Sequence, residues 1–394
     1  MPTHVAAISH AKGAPLTIQS RPTPRPGPGD LLIAIKSIAL NPADIAMRDT
    51  GLFIAAYPAI LGFDISGLVV EVGSDVPITP TNNNSPSSGL FFQPGKTRVA
   101  AYAASVWKSC NPDYGAVQEY CLVPWQHAVP LPDHDKGVSI SWNEAATIPV
   151  AVQVPLSAWG ALGILRGGES SGSVSGDIGT SDWTRNERRK REALLIWGAS
   201  SSVGSMGVQT ARVLRDDPDS AFAAVYATAG AGNHEYVKSL GADRVFDYKD
   251  SNVVDTIISA ARDDGVVIRH CFLATGDLAS CQAILKAFVD DVSNEDQAKI
   301  TGKIASAPVL PPGAKDIDGV ETIFVMPSFE DEGVRLAQFE YWLGTWCREH
   351  LANGKIRPSP EVRVVGRGLQ AINAGLNELA RGVSCAKLVV EVAE

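Results

Sequence analysis

The most regular hydrophobic pattern in the chain lies between Ala193 and Leu214. Five consecutive apolar residues, Ala193 to Trp197, predict a fully buried strand of a parallel sheet. A turn of small residues follows from Gly198 to Gly204, and apolar residues then recur with helical spacing. A strand that enters a helix through such a turn directs backbone N–H groups and the positive helix end at an anion. The pattern predicts a phosphate-binding unit; a plain strand–turn–helix is the alternative.

The dinucleotide-binding fingerprint has three glycine positions, and small residues of this turn occupy them: Ala199, Ser201 and Gly204. Gly207, one helical turn later, allows the helix to pack closely on the strand. The next apolar run, Ala223 to Ala229, predicts the second strand of a βαβ unit. This second strand favours the dinucleotide-binding interpretation.

The end of the second strand bears on the choice of cofactor. NAD enzymes usually end this strand with Asp or Glu, which accepts hydrogen bonds from the ribose hydroxyls. Here no carboxylate follows until Glu235, and no Arg or Lys stands at the strand end. A 2′-phosphate could lie against Gly230 and Asn233, so the sequence favours NADPH over NADH.

The N-terminal part of the chain consists of short apolar runs broken by Gly and Pro, which predict a separate all-β domain. The longest run is Asp30 to Leu40, and Asn41 to Asp44 then turns into a short helix with Asn or Asp as its cap. The other predicted strands are Val5 to Ile8, Leu16 to Ile18, Gly62 to Gly73, one after Pro94-Gly95, and Gly115 to Val123.

The remainder alternates helical and strand patterns, which predicts a doubly wound sheet. Glu144 to Leu162 is the linking helical region. Further strands are predicted at Arg244 to Tyr248, Val267 to Ala274 and Lys303 to Ala307. After Pro327, two helices (Val334 to Leu351, Leu369 to Leu379) and two strands (Glu361 to Val365, Lys387 to Val392) are expected to return to the first domain.

Composition narrows the function classes. The 394 residues are 45% hydrophobic, enough for two or three domains with sizeable cores, and the net charge of −9 argues against a nucleic-acid partner. Without an apolar run of roughly 18 residues, no membrane span is expected. The six cysteines show no Cys-x-x-Cys spacing, and no signal-peptide pattern opens the chain, so we expect a cytoplasmic protein with reduced thiols. The polar segments Thr79 to Gly89 and Gly167 to Arg191 predict dispensable insertions.

Seven motifs in order give the chain a specific resemblance. It resembles the medium-chain dehydrogenase/reductase superfamily, most closely its zinc-independent quinone reductase and enoyl reductase branch and the trans-acting enoyl reductases of fungal polyketide synthases. The motifs are Asn41-Pro42-x-Asp44, Gly62-x-Asp64-x-x-Gly67-x-Val69-x-x-Val72-Gly73, Gly95-x-x-Arg98-Val99, Glu144-Ala145-Ala146-x-x-Pro149, the turn from Ala199 to Gly207, Leu240-Gly241-Ala242-Asp243, and Gly382-x-Ser384-x-x-Lys387-Leu388-Val389-Val390.

The resemblance implies an α/β chain with two domains. A GroES-like β-barrel domain would occupy residues 1–155 and be completed by residues 327–394. A Rossmann domain with a doubly wound parallel sheet would occupy residues 156–326 and bind NADP, with a disordered insertion at residues 167–191.

The metal ligands of related zinc enzymes are absent from the sequence. Zinc alcohol dehydrogenases place a Cys where this chain has Asn41 and a His-Glu pair where it has Phe63 and Asp64. The four-cysteine structural lobe is also missing, since only Cys110 and Cys121 fall in that region. We therefore expect no metal, with Asp64 as a structural acid.

The resemblance implies a cofactor site built from five segments, with NADPH as the cofactor. Asn41 to Asp44 would lie beside the nicotinamide, although Asn41-Pro42 could merely cap a helix. Tyr248 could instead be a surface residue of the strand, and Leu273-Ala274 could belong to the hydrophobic core. The implied set is Asn41, Pro42, Ala43 and Asp44; Ser201, Ser202, Val203 and Gly204 at the pyrophosphate; Gly230, Ala231, Gly232, Asn233 and Tyr248 near the adenosine phosphate; Leu273 and Ala274 at the nicotinamide ribose; and Val383 and Ser384 closing the cleft.

An apolar stretch between the two domains is the expected acyl pocket. Relatives commonly carry Ser-Thr-Ala or Thr-Ala after Pro149, where the Thr can bind the nicotinamide amide; this chain has Gln153-Val154-Pro155 instead. No catalytic acid is assigned, and Tyr102, Tyr114 and Lys108 are candidates from the expected cleft rim. The expected substrate residues are Phe53, Tyr102, Pro149, Val150, Ala151, Val152, Gln153, Val154, Pro155 and Leu156.

The sequence is compatible with three functions. The first is a trans-acting enoyl reductase that reduces an acyl chain carried by a polyketide synthase or acyl carrier protein. The second is a stand-alone NADPH quinone or enone reductase acting on small soluble substrates. The third is a redox-silent descendant that binds a cofactor or a partner, or shapes a cyclisation.

Overall fold

The computed structural model describes residues 2–80, 89–132, 139–164, 191–290, 301–310, 313 and 317–392. The insertion predicted at Gly167 to Arg191 lies outside the described residues except for Arg191, and so does most of the segment Thr79 to Gly89. The chain divides into two compact units. Unit 1 comprises Met1–Gln153 and Pro327–Glu394, and unit 2 comprises Val154–Met326.

Unit 1 is built on a seven-stranded sheet with the order β14-β15-β3-β4-β5-β7, in which β6 also pairs with β3. A separate antiparallel pair joins β1 and β2. The bounds are β1 (Thr3–Ile8), β2 (Thr17–Pro22), β3 (Asp30–Ala39), β4 (Asp64–Val72), β5 (Arg98–Tyr102), β6 (Tyr120–Pro124), β7 (Ala128–Pro130), β14 (Glu361–Arg367) and β15 (Ala386–Glu391).

Short helices cover this sheet. The helix α3 (Ile148–Ala161) begins in unit 1 and continues into unit 2, with Pro155 inside it. The other helices of unit 1 are α1 (Pro42–Thr50), α2 (Trp142–Ala146), α8 (Glu332–Phe339), a π-helix (Glu340–Cys347), α9 (Arg348–Ala352) and α10 (Ile372–Ala380), with 3₁₀ turns at Ser105–Lys108, Pro112–Tyr114, Trp125–His127 and Leu369–Ala371.

Unit 2 is a six-stranded, fully parallel sheet with the order β10-β9-β8-β11-β12-β13. The order reverses between β8 and β11, and ligands of such sheets bind at the carboxyl ends of the strands beside that reversal. The bounds are β8 (Glu192–Trp197), α4 (Ser202–Asp216), β9 (Phe222–Thr228), α5 (His234–Ser239), β10 (Arg244–Phe246), α6 (Val253–Asp263), β11 (Val267–Leu273), α7 (Leu278–Asp290), β12 (Gly302–Ser306) and β13 (Val320–Phe324), with a 3₁₀ turn at Ala231–Asn233.

The predicted strands of the Rossmann-type core are confirmed. The clearest case is β8, whose residues after Glu192 are apolar and buried. In β8, Leu194, Leu195 and Ile196 are each 0% exposed. Close helix–strand packing at Gly207 is confirmed as well: a Cβ atom there would lie 2.9 Å from Phe272 Cδ1 on β11.

The structure differs from prediction at several elements. The strand predicted from Gly115 to Val123 is the shorter β6, which begins only at Tyr120. The single helix expected from Val334 to Leu351 is three consecutive segments, α8, the π-helix and α9. The strand β10 ends at Phe246, so Tyr248 lies beyond the strand predicted to contain it. The short strands β7 and β13 were not predicted, because runs of three and five residues carry little periodic signal.

Candidate active site

In unit 2, the turn between β8 and α4 is organised by Ser201, the N-cap residue of α4. The Ser201 hydroxyl accepts a hydrogen bond from the Gly204 amide at 3.1 Å and donates one to the Gly198 carbonyl at 2.8 Å. Gly198 has φ of +80°, which favours glycine, and its amide donates to Thr228 Oγ1 at 3.0 Å. The fingerprint place held by Ser201 is therefore a helix cap.

The first turn of α4 can hold an anion. The first backbone N–H groups of an α-helix have no partner within the helix, and here Ser201 satisfies that of Gly204. The amides of Ser202 and Val203 come from the same turn. The Ser202 hydroxyl is buried and has no hydrogen-bond partner within the described residues. An unsatisfied hydroxyl beside helix N-terminal amides fits the pyrophosphate of a dinucleotide.

Two charged groups that sequence patterns do not reveal follow β10, close to the loop after β9. Asp247 Oδ2 accepts a hydrogen bond from the Ala231 amide at 3.3 Å, which brings a carboxylate to the loop Gly230–Asn233. Lys249 Nζ lies 5.9 Å from the centroid of the Tyr248 ring, and that ring borders Gly230. Both groups follow β10, so only the parallel pairing of β9 with β10 brings them to this loop.

Leu273 and Ala274 lie at the carboxyl end of β11 and are only 2% and 6% exposed. The Ala274 amide donates to the Trp197 carbonyl at 3.0 Å, at the end of the neighbouring strand β8. This is the edge at which the strand order reverses. A role of these two residues at the nicotinamide ribose stays a prediction.

In unit 1, the motif residues Asn41 and Asp64 meet the buried ammonium of Lys387. Lys387 Nζ donates to Asn41 Oδ1 at 2.6 Å and to Asp64 Oδ2 at 3.1 Å. Asn41 Nδ2 donates to the same Asp64 oxygen at 3.0 Å, and the Val150 amide donates to Asp64 Oδ1 at 2.8 Å. The side chain of Asn41 is thus held by Lys387 and Asp64, while the residue itself occupies the N-cap position of α1, as predicted.

Asp44, at the third position of the helix, completes the predicted cap. Its Oδ2 accepts a hydrogen bond from the Asn41 amide at 2.7 Å, while its Oδ1 is buried without a partner among the described residues. Burial raises the pKa of Asp44 to about 7, and the charge of Asp64 acts in the same direction against the opposing effects of the Asn41 amide and Lys387. Pro42 and Ala43 occupy the first two positions of the helix.

The predicted acyl-pocket residues on α3 differ in exposure. Only Val150 and Val154 keep intermediate exposure, and their spacing of four residues places them on one face of the helix. The Gln153 side chain is 2% exposed, and its Nε2 has no hydrogen-bond partner within the described residues. The buried members of the set are Pro149, Ala151, Val152, Gln153, Pro155 and Leu156.

The three candidate acids have different surroundings. The Tyr114 hydroxyl donates to Asp30 Oδ2 at 2.7 Å, and Lys108 Nζ forms an ion pair with Glu332 at 2.7 Å. Tyr102 is paired with Asp64 across β4 and β5, and no hydrogen bond of its hydroxyl is found among the described residues. Burial, with the charges of Asp64 and Asp44, raises the pKa of Tyr102 well above its usual value.

The Tyr102 ring belongs to an aromatic cluster of Phe63, Tyr102, Trp107, His127 and Phe339. His127 stacks on Phe339 with centroids 3.8 Å apart, and its Nδ1 donates to the Tyr102 carbonyl at 3.3 Å. Burial lowers the pKa of His127 to about 3. This imidazole is therefore neutral at physiological pH.

Phe53, another predicted substrate residue, has an unusual backbone. Its φ is +63° and that of Cys110 is +58°, both in the left-handed region that bulky residues rarely adopt. The Cys110 thiol joins the two segments, donating to the Phe53 carbonyl at 3.2 Å and accepting from the Ala55 amide at 3.3 Å. Sequence patterns give no signal for such a clamp.

The remaining predicted residues, Val383 and Ser384, lie in the connection between α10 and β15, partly exposed and exposed respectively. Within the described ranges, no three His, Cys, Asp or Glu side chains are grouped so that they could hold a metal ion. In the same ranges, no helix combines the length and apolar character needed to cross a membrane.

Comparison with known proteins identifies the family. The alcohol dehydrogenase GroES-like domain matches residues 27–133. The chain is 39% identical over 390 residues to the trans-enoyl reductase tndF of Aspergillus flavipes, covering 98% of both chains. It is 39% identical over 335 residues to the trans-enoyl reductase tazE of Aspergillus terreus, covering 84% of this chain and 94% of that protein.

Among solved structures, the CurK enoyl reductase matches with a TM-score of 0.66 and 15% identity over 99% of both chains, which supports the fold. Three findings indicate the same family: the GroES-like domain, the parallel Rossmann sheet, and the similarity to the fungal proteins along the full chain. The chain belongs to the medium-chain dehydrogenase/reductase superfamily and is an oxidoreductase of its enoyl reductase type.

Proposed function

We propose that this chain is a trans-acting enoyl reductase that uses NADPH, without a metal, to reduce an α,β-unsaturated acyl thioester made by a polyketide synthase. The observation that carries the proposal is the β8–α4 turn, where a buried Ser202 hydroxyl without a partner accompanies the N-terminal amides of a capped helix. This arrangement suits a dinucleotide in a chain 39% identical to two trans-enoyl reductases.

The preference for NADPH rests on the charges near the loop Gly230–Asn233. The strand β9 ends at Thr228 without a carboxylate of its own, and Lys249 supplies a cation beside the Tyr248 ring. Asp247 opposes this preference, because its carboxylate lies on the Ala231 amide. A 2′-phosphate at this loop would have to displace that hydrogen bond, which is long at 3.3 Å.

Independence from metal rests on the residues at the ligand places of related zinc enzymes. Asn41 and Phe63 cannot supply a thiolate and an imidazole there. Asp64, the remaining oxygen donor, already accepts hydrogen bonds from Lys387, Asn41 and the Val150 amide. These donors satisfy the carboxylate without a metal ion.

The reaction adds a hydride to the β-carbon and a proton to the α-carbon of the substrate double bond. NADPH, when bound, supplies the hydride. Ser202, Val203 and the α4 N-terminus would hold the pyrophosphate, and the unpaired Gln153 Nε2 would donate to the carboxamide in place of the threonine of relatives. Tyr102 would give its phenolic proton to the α-carbon and be reprotonated from solvent, since Tyr114 and Lys108 are engaged with Asp30 and Glu332.

The substrate would be bound by apolar groups. Phe53, Val150 and Val154 retain partial exposure, and none of the three offers a polar side chain. Burial of apolar surface without specific hydrogen bonds suits a reduced or partly reduced polyketide chain better than a sugar.

The test compares one enoyl chain attached to free pantetheine with the same chain attached to its carrier protein, each with NADPH and with NADH. We expect faster NADPH consumption on the carrier-bound chain, and unchanged turnover in the presence of a chelator. Equal efficiency on both forms would indicate a stand-alone reductase. Cofactor binding without consumption of either cofactor would indicate a redox-silent protein, and loss of turnover in chelator would refute metal independence.

A further inference from the structure

Three neighbouring strands bring Lys387, Asn41 and Asp64 to one end of the sheet of unit 1. In the antiparallel pair of β15 and β3, Val389 lies opposite Ala39, and the Leu40 amide donates to the Leu388 carbonyl at 2.9 Å. Continued by two residues, this register sets Lys387 opposite Asn41. On the other side of β3, Asp64 is paired with Ala39.

The ammonium of Lys387 is deeply buried at this point. Its side chain is 4% exposed and that of Asp64 is 0% exposed. A buried ammonium is stable only when its N–H groups meet acceptors, and here the two acceptors are Asp64 Oδ2 and Asn41 Oδ1. The shorter contact, 2.6 Å, is the one to Asn41.

The contact from Lys387 decides which way the Asn41 amide faces. The two ends of a carboxamide differ, because the oxygen only accepts and the nitrogen only donates hydrogen bonds. With Lys387 Nζ on its oxygen, the Asn41 nitrogen must face Asp64 Oδ2, where it donates at 3.0 Å. Asn41 is itself the residue before α1, and its backbone amide is bound by Asp44.

We propose that Lys387 is a positioning residue which, by acting through the Asn41 carboxamide, fixes the first turn of α1 for the reaction. The Asn41 side chain gains its orientation from β15, and α1 begins at the next residue. Asp64 extends the same network to the Val150 amide in α3. The inference rests on the proposed function and on the expectation from the sequence that Asn41 to Asp44 lie beside the nicotinamide.

A purely structural role for Lys387 makes a different prediction. In that case Lys387 only neutralises Asp64, and removal of both charges together would restore both folding and turnover. If Lys387 acts through Asn41, removal of both charges restores folding but leaves the Asn41 oxygen without its donor, so turnover stays low. The turnover of a variant that lacks both charges therefore distinguishes the two roles of Lys387.

The test is a double-mutant cycle of Lys387→Met and Asn41→Ala, with Lys96→Met as an exposed control. We expect Lys387→Met alone to lower kcat by about tenfold to hundredfold. In the Asn41→Ala background, the same substitution should change kcat by less than about twofold. If the Lys387→Met variant does not fold, the double variant Asp64→Asn/Lys387→Met is measured in its place. Its kcat is then compared with that of Asp64→Asn alone. Independent effects of the two substitutions, or full recovery of kcat in Asp64→Asn/Lys387→Met, would overturn the proposal.

Amide hydrogen exchange in the first turn of α1, measured without cofactor, completes the experiment. Lys387→Met should raise the rate of amide exchange at Asp44 and its neighbours. In the Asn41→Ala background, the same substitution should not raise that rate further. No NADPH consumption by the unsubstituted protein would overturn the proposed function, whereas the exchange cycle would still report on the link from Lys387 to α1. Unchanged exchange in Lys387→Met would overturn the link itself.

Discussion

A Cβ atom added to Gly204 would lie 2.3 Å from the carbonyl oxygen of Gly198. This approach closes the β8–α4 turn, so even the smallest side chain must displace backbone. We expect Gly204→Ala to lower the free energy of unfolding and weaken NADPH binding together, whereas Gly29→Ala, where a Cβ meets no atom within 4 Å, should leave both unchanged. Calorimetric titration and thermal unfolding measure the two effects. Equal behaviour of the two variants would contradict the interpretation.

We expect a substitution at Gly230 to reverse the proposed preference for NADPH. The Gly230 φ of −63° suits any residue, and a Cβ there would meet only Tyr248 Cε1, at 3.9 Å. Gly230→Asp should therefore fold normally, weaken NADPH through repulsion of the 2′-phosphate and strengthen NADH through the ribose hydroxyls. Gly230→Asn is the control of nearly equal size without charge. Similar dissociation constants for the Asp and Asn variants would count against a 2′-phosphate at this loop.

Asp44 should make the protein less stable as pH rises. Its pKa is about 7 in the folded protein and near 3.8 when exposed, so between these values the folded state holds a proton that the unfolded state has lost. Stability falls with rising pH across that window, and above it the buried charge costs about 4 kcal/mol, at 1.36 kcal/mol per pKa unit. In Asp44→Asn this loss disappears, and Asn can still accept from the Asn41 amide.

The measurement is chemical unfolding of both proteins at pH 5 and pH 8. The free energy of unfolding of Asp44→Asn, minus that of the unsubstituted chain, should be about 3 kcal/mol larger at pH 8 than at pH 5. Asp75→Asn, a change at an exposed carboxylate, should show no such growth. Parallel pH profiles for Asp44→Asn and the unsubstituted chain would show that Asp44 ionises normally.

How far the sequence predicts this protein depends on how local each feature is. The strand–turn–helix at Ala193 to Leu214 is a local pattern, and the structure has it as β8 and α4. The π-helix Glu340–Cys347 was predicted as ordinary helix, because both helices bury one side at nearly the same spacing. The Lys387–Asn41 contact joins residues 346 positions apart and follows from sheet register, which no single-sequence pattern supplies.

The same reasoning explains which site residues were missed. Asp247 and Lys249 lie beyond β10 and reach the loop Gly230–Asn233 only through strand pairing. The sequence identifies Asn41 and Asp64 by motif and predicts Asn or Asp as the cap of α1, which is confirmed by Asn41 at the N-cap position and Asp44 on its amide. It gives no signal that Lys387 binds the Asn41 side chain. Buried polar contacts of this kind depend on sheet register, which local patterns do not supply.

The thiol of Cys110 should hold the segment around Phe53, which we propose to bind the substrate. Cys110→Ala removes the hydrogen bonds to the Phe53 carbonyl and from the Ala55 amide, which should cost about 1 kcal/mol of stability. Because Phe53 is held with φ of +63°, release of the clamp should let it relax and raise KM for long acyl chains more than it lowers kcat. Cys110→Ser keeps a donor and acceptor and should lose less. An unchanged KM in Cys110→Ala would separate this clamp from the substrate.

Tyr102 is the residue that we expect to supply the proton. Its ring packs against Phe63 and Phe339, with centroids 5.5 Å and 4.9 Å away, while no hydrogen bond of its hydroxyl is found in the described part of the chain. Tyr102→Phe should therefore keep the free energy of unfolding within about 0.5 kcal/mol. Loss of the phenolic proton should lower kcat about a hundredfold at saturating NADPH.

Tyr114→Phe is the matched control, because its hydroxyl donates to Asp30 Oδ2 at 2.7 Å. That variant should lose about 1 kcal/mol of stability and keep its turnover, which is the opposite of the pattern expected for Tyr102→Phe. Proton transfer from Tyr102 should also appear as a solvent isotope effect on kcat that is altered in Tyr102→Phe. If Tyr102→Phe turns over the enoyl thioester at the unsubstituted rate, the proton comes from another group or from water.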